Sequence, residues 1–282
     1  MAILEKRRAL GFGACALASS LWGCGFFFGK IALAEMGFAH MVLYRFLFAI
    51  VILLPLLATH RPGLNRKEWG LLLVASFLGV PLQFLIQFYA LSITTVSHAS
   101  LMVGTMPVIL AVGAAVFAHE RMDWVGWVAL AGDALVVLSL MIALFWILLN
   151  KQLMGRHSHI VVTAYGLALG TAMLMIWVPV RYGLPPVHGV SVKAWLALAG
   201  SGVLCTATTT LLWNWGMTQV PASQAGVLLN MEPLIGSLLG VLVLGEKLGP
   251  SAWVGGGLIL ASAITLTTRS KTRVREDMIL AG

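Results

Sequence analysis

The sequence predicts an all-α integral membrane protein with ten transmembrane helices, arranged as two inverted five-helix repeats. Of its 282 residues, 60% are hydrophobic and 10% are charged, and the mean hydropathy is +0.95. Soluble domains carry about a quarter charged residues, so a water-soluble globule is excluded. Apolar segments of bilayer length recur along the chain, and part of the first half resembles part of the second half.

Eight segments have the length of about 20 apolar residues that a helix needs to cross a bilayer. They run over 9–33, 38–58, 69–91, 97–118, 160–180, 194–215, 222–244 and 251–267. The basic cluster Lys6 to Arg8 before the first segment also resembles a signal peptide. The apolar stretch that follows is too long for a signal peptide core, so we expect an uncleaved first span.

The stretch 124–150 is longer than one span requires and leaves nine or ten crossings open. Basic residues concentrate in the cytoplasmic loops of membrane proteins, and this rule separates the two counts. With ten crossings, thirteen of the sixteen basic residues near span ends lie on the side of both termini. With nine crossings, the same residues divide ten to six. The sequence therefore predicts ten spans with both termini cytoplasmic.

An internal repeat supports the ten-span count. A shift of 126 residues places 97–120 on 223–246. The aligned pairs include Ser97/Ser223, Ala99/Ala225, Pro107/Pro233 and Glu120/Glu246. Because each repeat has five spans, an odd number, the second repeat enters the membrane from the opposite side. Inverted repeats of this kind are typical of secondary transporters.

The repeat also predicts the domain bounds, which are 1–132 and 133–268, followed by a basic cytoplasmic tail over 269–282. The second copy continues apolar after Trp253, whereas the first copy meets Asp133 directly after Gly132. We therefore expect a truncated fifth helix, with about ten helical residues and a loop absent at this point. Either a segment of the native chain is missing from the sequence or the chain carries a natural deletion.

Several kinds of site are not expected. The three cysteines lie in apolar runs without metal-ligand spacing, which argues against disulfides and zinc. No motif places a catalytic triad or paired carboxylates, so neither a catalytic set nor a cofactor is predicted. The net charge of +8 comes from short clusters between spans, a pattern that indicates membrane topology and not nucleic-acid binding.

Three motifs carry a family resemblance: SLWGCGFFFGKIAL in the first span, YRFLFA in the second, and two turns that follow Pro-containing spans, His119-Glu120-Arg121 and Gly245-Glu246-Lys247. They resemble the EamA-type drug/metabolite transporter superfamily, and the whole chain is similar to YddG-type amino-acid exporters.

This resemblance implies a ten-helix bundle in the inner cell membrane, with a cavity lined by helices one to four and six to nine. It implies export of small metabolites by alternating access, with amino acids as the first candidate substrate and protons as a candidate coupling ion. Cationic drugs or other metabolites are the alternative substrates, and an intramembrane enzyme is a remote alternative.

Two ionisable residues inside spans are candidates for substrate binding, because such groups are costly in the bilayer and mark pathways. Glu232 precedes Pro233 in the ninth span, where a proline kink can open a polar pocket. It could hold a proton or a substrate ammonium, or serve the kink structurally. Arg45 could offer its planar fork to a substrate carboxylate, or it could extend to the headgroups.

The remaining candidates are uncharged or interfacial. Gln83 and Gln87 share one helical face of the third span, and either line a cavity for a small zwitterion or join helices. Under the repeat shift they correspond to Thr209 and Trp213. The other candidates are Trp22 and Trp146 as apolar walls, Asn230 near Pro233, and His98 at the start of the fourth span.

Overall fold

The fold is known from a computed structural model that describes residues 2–104, 124–220, 225, 228–229 and 231–247, and the side chains over 5–101, 135–220, 225, 228–229 and 231–247. Its regular elements are all helical. They are α1 (Ala2–Leu33), α2 (Phe38–Thr59), α3 (Arg66–Phe77), a π-helical segment π1 (Leu78–Leu82), α4 (Gln83–Ile93), α5 (Val96–Gly104), α6 (Trp124–Met154), α7 (His159–Tyr182), α8 (Val192–Gly202), a second segment π2 (Val203–Thr208), α9 (Thr209–Gln219) and α10 (Met231–Leu242).

Six helical stretches of the described chain are long and apolar enough to cross a membrane, in agreement with an integral membrane protein. They run over Glu5–Leu33, Phe38–Thr59, Arg66–Ile93, Leu135–Met154, His159–Tyr182 and Val192–Gln219. The predicted fourth and ninth spans are described only in part, by α5 and α10, and the predicted tenth span lies outside the described residues.

The stretch 124–150 differs from the expectation of two spans. It forms part of one helix, α6, which passes through Gly132 and Asp133 without a break. The stretch contains no proline, and Asp133 is its only charged residue, so no local signal ends the helix. At about 1.5 Å per residue, its 31 residues extend well beyond the ~30 Å core of a bilayer.

The third and eighth spans have matching local structures. Each begins at a capping side chain: the Asn65 side chain accepts from the Glu68 N–H, and the Ser191 hydroxyl accepts from the Ala194 N–H. Each then changes from α to π register near its middle, in π1 and π2. The shift of 126 residues that aligns the sequence repeats also brings Asn65 onto Ser191 and π1 onto π2.

Hydrogen bonds join helix ends at one end of the bundle, here called the Glu246 end. The Glu35 carboxylate accepts from the Ser191 N–H at 2.6 Å and from its hydroxyl at 2.5 Å. The Lys30 ammonium donates to the carbonyl of Thr94 at 2.5 Å. Two residues later, the Val96 N–H donates to Glu246 at 2.8 Å. The C-terminal ends of α1 and α4 and the N-terminal ends of α5 and α8 therefore lie together.

The opposite end of the bundle, here called the Glu68 end, is joined by contacts of the Glu68 carboxylate. Glu68, at the start of α3, lies 3.7 Å from Arg156 and 3.1 Å from His157, in the turn between α6 and α7. The C-terminal end of α6 therefore lies beside the N-terminal end of α3. It follows that α1, α3–α4 and α7 run toward the Glu246 end, whereas α2, α6 and α8–α9 run toward the Glu68 end.

Glycines allow close helix contacts where the two halves of the chain meet. A Cβ at Gly236 of α10 would overlap the Ser100 side chain of α5, and a Cβ at Gly216 of α9 would overlap Cys15 of α1. The largest buried cluster of the described residues includes Met41, Phe46 and Phe88. The resulting bundle surrounds a central cavity.

Candidate functional site

A cavity of about 360 Å³ lies between helices from both halves of the sequence. Most of its wall is aromatic or aliphatic, and a few polar side chains interrupt it. The described lining residues are Trp22, Gly25 and Phe26 of α1; Arg45 and Phe46 of α2; Gly79, Gln83, Phe84, Gln87 and Phe88 of the third span; Val137, Leu140, Met141, Ala143, Leu144, Trp146 and Ile147 of α6; Leu167 of α7; and Thr206, Thr210, Leu229 and Glu232. A mainly apolar pocket with few polar groups is typical of small-molecule sites.

Arg45 is held on two sides of its guanidinium group. Its Nε donates to the Thr206 hydroxyl at 2.6 Å, and its Nη2 donates to the Cys205 carbonyl at 2.8 Å. Its guanidinium carbon lies 4.9 Å and 5.1 Å from the ring centroids of Phe84 and Phe88, at cation–π distance. Arg45 is 2% exposed, so it does not extend to the headgroups.

The π register of π2 makes the Cys205 carbonyl available to Arg45. In an α-helix, the Thr209 N–H would donate to this carbonyl, four residues earlier. It donates instead to the carbonyls of Leu204 and Thr206. The bypassed Cys205 oxygen accepts from Arg45, which places a positive charge on the cavity wall.

The two glutamines predicted as a polar face, Gln83 and Gln87, both line the cavity and are 7% and 6% exposed. The Gln83 Oε1 is buried and has no hydrogen-bond partner among the described residues. Phe84 and Phe88 follow each glutamine by one residue and form the neighbouring stripe of the same helix. The third span therefore contributes amides and aromatic rings side by side.

Glu232 lies on the cavity wall one residue before Pro233. Within the part of the chain that the structure describes, its carboxylate forms no ion pair within 4.0 Å. Arg45 lies close enough to attract it electrostatically. The cavity therefore has one acid and one base among its described lining residues.

The predicted aromatic walls are present at Trp22 and Trp146, which both line the cavity. Trp146 packs directly on Gly79 of π1, where a Cβ would overlap its indole ring. Trp213 does not reach the cavity. It packs against Trp22, with ring centroids 5.3 Å apart.

Three further predicted residues are placed elsewhere. Thr209 is fully buried within the bundle, and its hydroxyl donates to the Thr206 carbonyl of its own helix at 3.1 Å. The next residue, Thr210, faces the cavity in its place. His98 is in the first turn of α5 near the Glu246 end, and is not among the lining residues. Asn230 lies outside the described residues.

The sequence reasoning missed Thr206, Gly79 and the phenylalanine pair of the third span. The repeated pattern in QFLIQF, with two glutamines and two phenylalanines each four residues apart, could have indicated the aromatic stripe. Thr206 carried no comparable signal, because its role depends on the π register and on a residue 161 positions away.

Glu246 joins α5 to the segment after α10. Its carboxylate accepts from the Val96 N–H at 2.8 Å, from the Ser97 N–H at 2.7 Å and from the Ser97 hydroxyl at 2.6 Å. These donors include the first free N–H groups of α5, so Glu246 caps that helix from the other half of the chain. We call this group of contacts the Glu246 clasp.

The charges and acceptors of the cavity suit the reversible binding of a small polar molecule. Arg45 can attract an anionic group, while Glu232 and the amides can accept from a cationic one. No group of three or more His, Cys, Asp or Glu side chains suitable for a metal was found among the residues that the structure describes.

Comparisons with known proteins agree with this architecture. A sequence model of the EamA-like transporter family matches residues 9–132 and again residues 130–268. A similar protein of Archaeoglobus fulgidus is named an uncharacterized transporter. It is 27% identical over an alignment of 281 positions, gaps included, which covers 90% of this chain and 95% of that protein. The uncharacterized transporter YetK of Bacillus subtilis is 21% identical, with 95% of this chain and 90% of that protein covered.

Two other comparisons are with a relative whose name gives a substrate and with a solved structure. A protein of Streptantibioticus cattleyicolor named "probable terminal-alkyne amino-acid exporter" is 27% identical over 201 residues, which cover 63% of this chain and 66% of that protein. A solved crystal structure shares the fold with a TM-score of 0.60 and 15% identity, and covers 92% of this chain and 96% of that chain. Since the two family matches together span most of the sequence, this chain belongs to the EamA-like transporter family.

Proposed function

We propose that this membrane transporter is a secondary transporter that exports small metabolites, chiefly amino acids, by alternating access through the central cavity. One observation carries the proposal. An otherwise apolar cavity contains Arg45 and Glu232, which have opposite charges, together with the amides of Gln83 and Gln87. An amino acid presents a carboxylate and an ammonium group close together, and this set of side chains complements both.

The proposal includes two inverted repeats, over 1–132 and 133–268, of which the first lacks a complete fifth helix because α6 crosses the boundary as one helix. Helices related by the 126-residue shift run in opposite directions between the Glu246 and Glu68 ends, as α3–α4 and α8–α9 do. The matching caps and π segments of these two spans support a repeat. The cavity lies between the repeats, where transporters of this architecture bind their substrates.

We also propose that the chain is shorter than a full ten-helix transporter near Gly132. Ser97 lies at the Glu246 end and Arg156 at the Glu68 end, so an odd number of crossings separates them. In a full ten-helix transporter three crossings would lie between these two residues, and they need about 60 residues plus two turns, more than this stretch contains. The alignment with the Archaeoglobus protein spans 281 positions but only 90% of this chain, which supports gaps within it.

The choice of amino acids rests on the cavity charges and on the relative named as an amino-acid exporter. Cationic drugs or other metabolites are the second candidate class, because Glu232 and the aromatic wall would also suit an apolar cation. An enzymatic function is not proposed, since the family and the named relatives are transporters. We place the protein in the inner cell membrane with cytoplasmic termini.

The direct test is counterflow of labelled amino acids into liposomes that contain the purified full-length protein. Uptake should exceed that of protein-free liposomes when unlabelled amino acid is trapped inside. A pH gradient then separates proton coupling from facilitated diffusion. Cation counterflow without amino-acid counterflow would favour the second candidate class.

Glu232→Gln tests the coupling role of the carboxylate. The variant keeps the size of the side chain but cannot exchange a proton. If Glu232 binds a proton or a substrate ammonium, transport should weaken or lose its dependence on pH between about 5 and 8. A folded variant with the wild-type rate and pH profile would assign Glu232 a purely structural role.

A further inference from the structure

The π1 segment bypasses one backbone carbonyl, as π2 does. No side chain among the described residues donates a hydrogen bond to the bypassed carbonyl of π1. The Gln83 N–H donates to the carbonyls of Leu78 and Val80 and bypasses that of Gly79, four residues earlier. In π2, the bypassed carbonyl is that of Cys205. The 126-residue shift places Gly79 on Cys205, so in both repeats the helical N–H bypasses a backbone carbonyl at the same position.

The two bypassed carbonyls differ in their surroundings. The Cys205 carbonyl accepts from the Arg45 guanidinium at 2.8 Å. The repeat position of Arg45 is Thr171, whose hydroxyl donates to the Leu167 carbonyl of its own helix at 2.7 Å. The π2 segment therefore has a cation from the other repeat, Arg45, at its bypassed carbonyl, whereas the equivalent residue for π1, Thr171, is short and uncharged.

The surroundings of Gly79 suit a cation with several N–H donors. Gln83 lies one turn further along the third span, on the same face, and its Oε1 is more than nine-tenths buried without a described partner. Trp146 packs on Gly79, and an indole ring can attract a cation through its π face. All three residues line the cavity.

We propose that the Gly79 carbonyl and the Gln83 amide oxygen, beside Trp146, form a subsite for a primary ammonium group of the substrate. This inference rests on the proposed function and deepens it, since it orients the amino acid in the cavity. The ammonium group takes the position at π1 that the Arg45 guanidinium takes at π2. An ammonium has three donors and no acceptor, which matches a wall that offers acceptors.

The experiment measures binding of three probes to the purified full-length protein by titration calorimetry. Leucine carries both charged groups, 3-methylbutylamine keeps only the ammonium, and 4-methylpentanoate keeps only the carboxylate. Gln83→Leu should weaken binding of the amine about tenfold or more, as expected for the loss of a hydrogen bond to a charged group. It should leave 4-methylpentanoate binding within about twofold.

Two further variants complete the design. Gln83→Glu places a negative charge in the subsite, so it should tighten binding of the amine and weaken binding of the carboxylate. Amine affinity should therefore rise in this variant and fall in Gln83→Leu. Gln152→Leu makes the same chemical change as Gln83→Leu at an exposed position near the Glu68 end and should leave all three affinities unchanged.

The outcomes separate this inference from the proposed function. If the wild-type protein does not bind the amine, or if the Gln83 variants bind it with wild-type affinity, the subsite is refuted. If leucine binds but its affinity is insensitive to Gln83, the subsite is refuted while amino-acid transport stands. If the amine binds through Gln83 and leucine does not bind, the subsite stands and the proposed amino-acid function fails.

Discussion

Thr206 should position Arg45, and a pair of substitutions can test this role. Thr206→Val keeps the shape of the side chain but removes its hydroxyl. The Arg45 Nε, now 2.6 Å from that oxygen, would lose its acceptor in a buried site. The hydroxyl's own bond to the Ser201 carbonyl at 3.0 Å would also be lost. Thr206→Ser removes only the methyl group and keeps both bonds.

The structure gives a rank order and a magnitude for these two variants. An unpaired N–H on a buried charged group costs about 1.5 to 3 kcal/mol in the free energy of unfolding. Loss of one buried methyl group costs about 0.8 kcal/mol. For a chain of this size, about 1 kcal/mol lowers the melting temperature by roughly 2 to 4 °C. We therefore expect Thr206→Val to melt roughly 3 to 12 °C lower, and Thr206→Ser roughly 2 to 3 °C lower, than the wild type.

The native cysteines provide the assay. Cys15 and Cys205 are fully buried, so a maleimide dye that fluoresces on reaction with thiols reports their exposure as the protein unfolds in detergent. Membrane proteins often unfold irreversibly, so melting temperatures are compared at one heating rate. If Thr206→Val melts at or above Thr206→Ser, the hydroxyl does not position Arg45 and the reasoning is wrong.

Three further predictions concern the two ends of the bundle. Glu246→Gln should destabilise the protein by about 1 to 2 kcal/mol, because an amide cannot accept all three bonds of the Glu246 clasp. The control is Lys247→Gln, at the exposed next residue, which should have no effect in the same melting assay. Hydrogen bonds from Ser191 lower the pKa of Glu35. These bonds therefore stabilise the folded protein at a pH above the ordinary pKa of a glutamate, and this stabilisation is lost as the pH falls from about 5 to 3. Ser191→Ala should therefore reduce the loss of stability over this range, and an unchanged pH profile would refute the link. Single cysteines at Arg61 and Lys193 should react with an impermeant thiol reagent from opposite sides of the membrane, and labelling of both from one side would contradict the topology.

Periodicity and charge predicted the parts of the fold that depend on local sequence. The apolar lengths gave the spans over 38–58 and 160–180 to within a few residues of α2 and α7, because a bilayer requires a fixed length of apolar helix. The same reasoning failed for 124–150, where a continuous apolar stretch carries no signal for a break. The repeat predicted one there, but the chain forms a single helix.

The candidate site was predictable where polarity alone selects a residue. Arg45, Gln83, Gln87 and Glu232 stand out because polar groups are rare inside spans, and all four line the cavity. Trp213 and Thr209 are not among the lining residues. Spacing in the sequence could not show this, because a π segment changes which side chains of the helix face the cavity. The bypassed carbonyls of Gly79 and Cys205 were not predictable either, because a change to π register has no signature in the side chains.

The central claim is that substrate passes through the cavity between the two halves of the chain, and blocking the cavity tests it most directly. Ala143 lines the cavity, whereas Leu148, on the same helix, is 49% exposed at the surface. In amino-acid counterflow with reconstituted protein, Ala143→Phe should abolish transport and Leu148→Phe should preserve it, with both variants checked for folding by the thiol assay. A folded Ala143→Phe protein that transports at the wild-type rate would contradict the account.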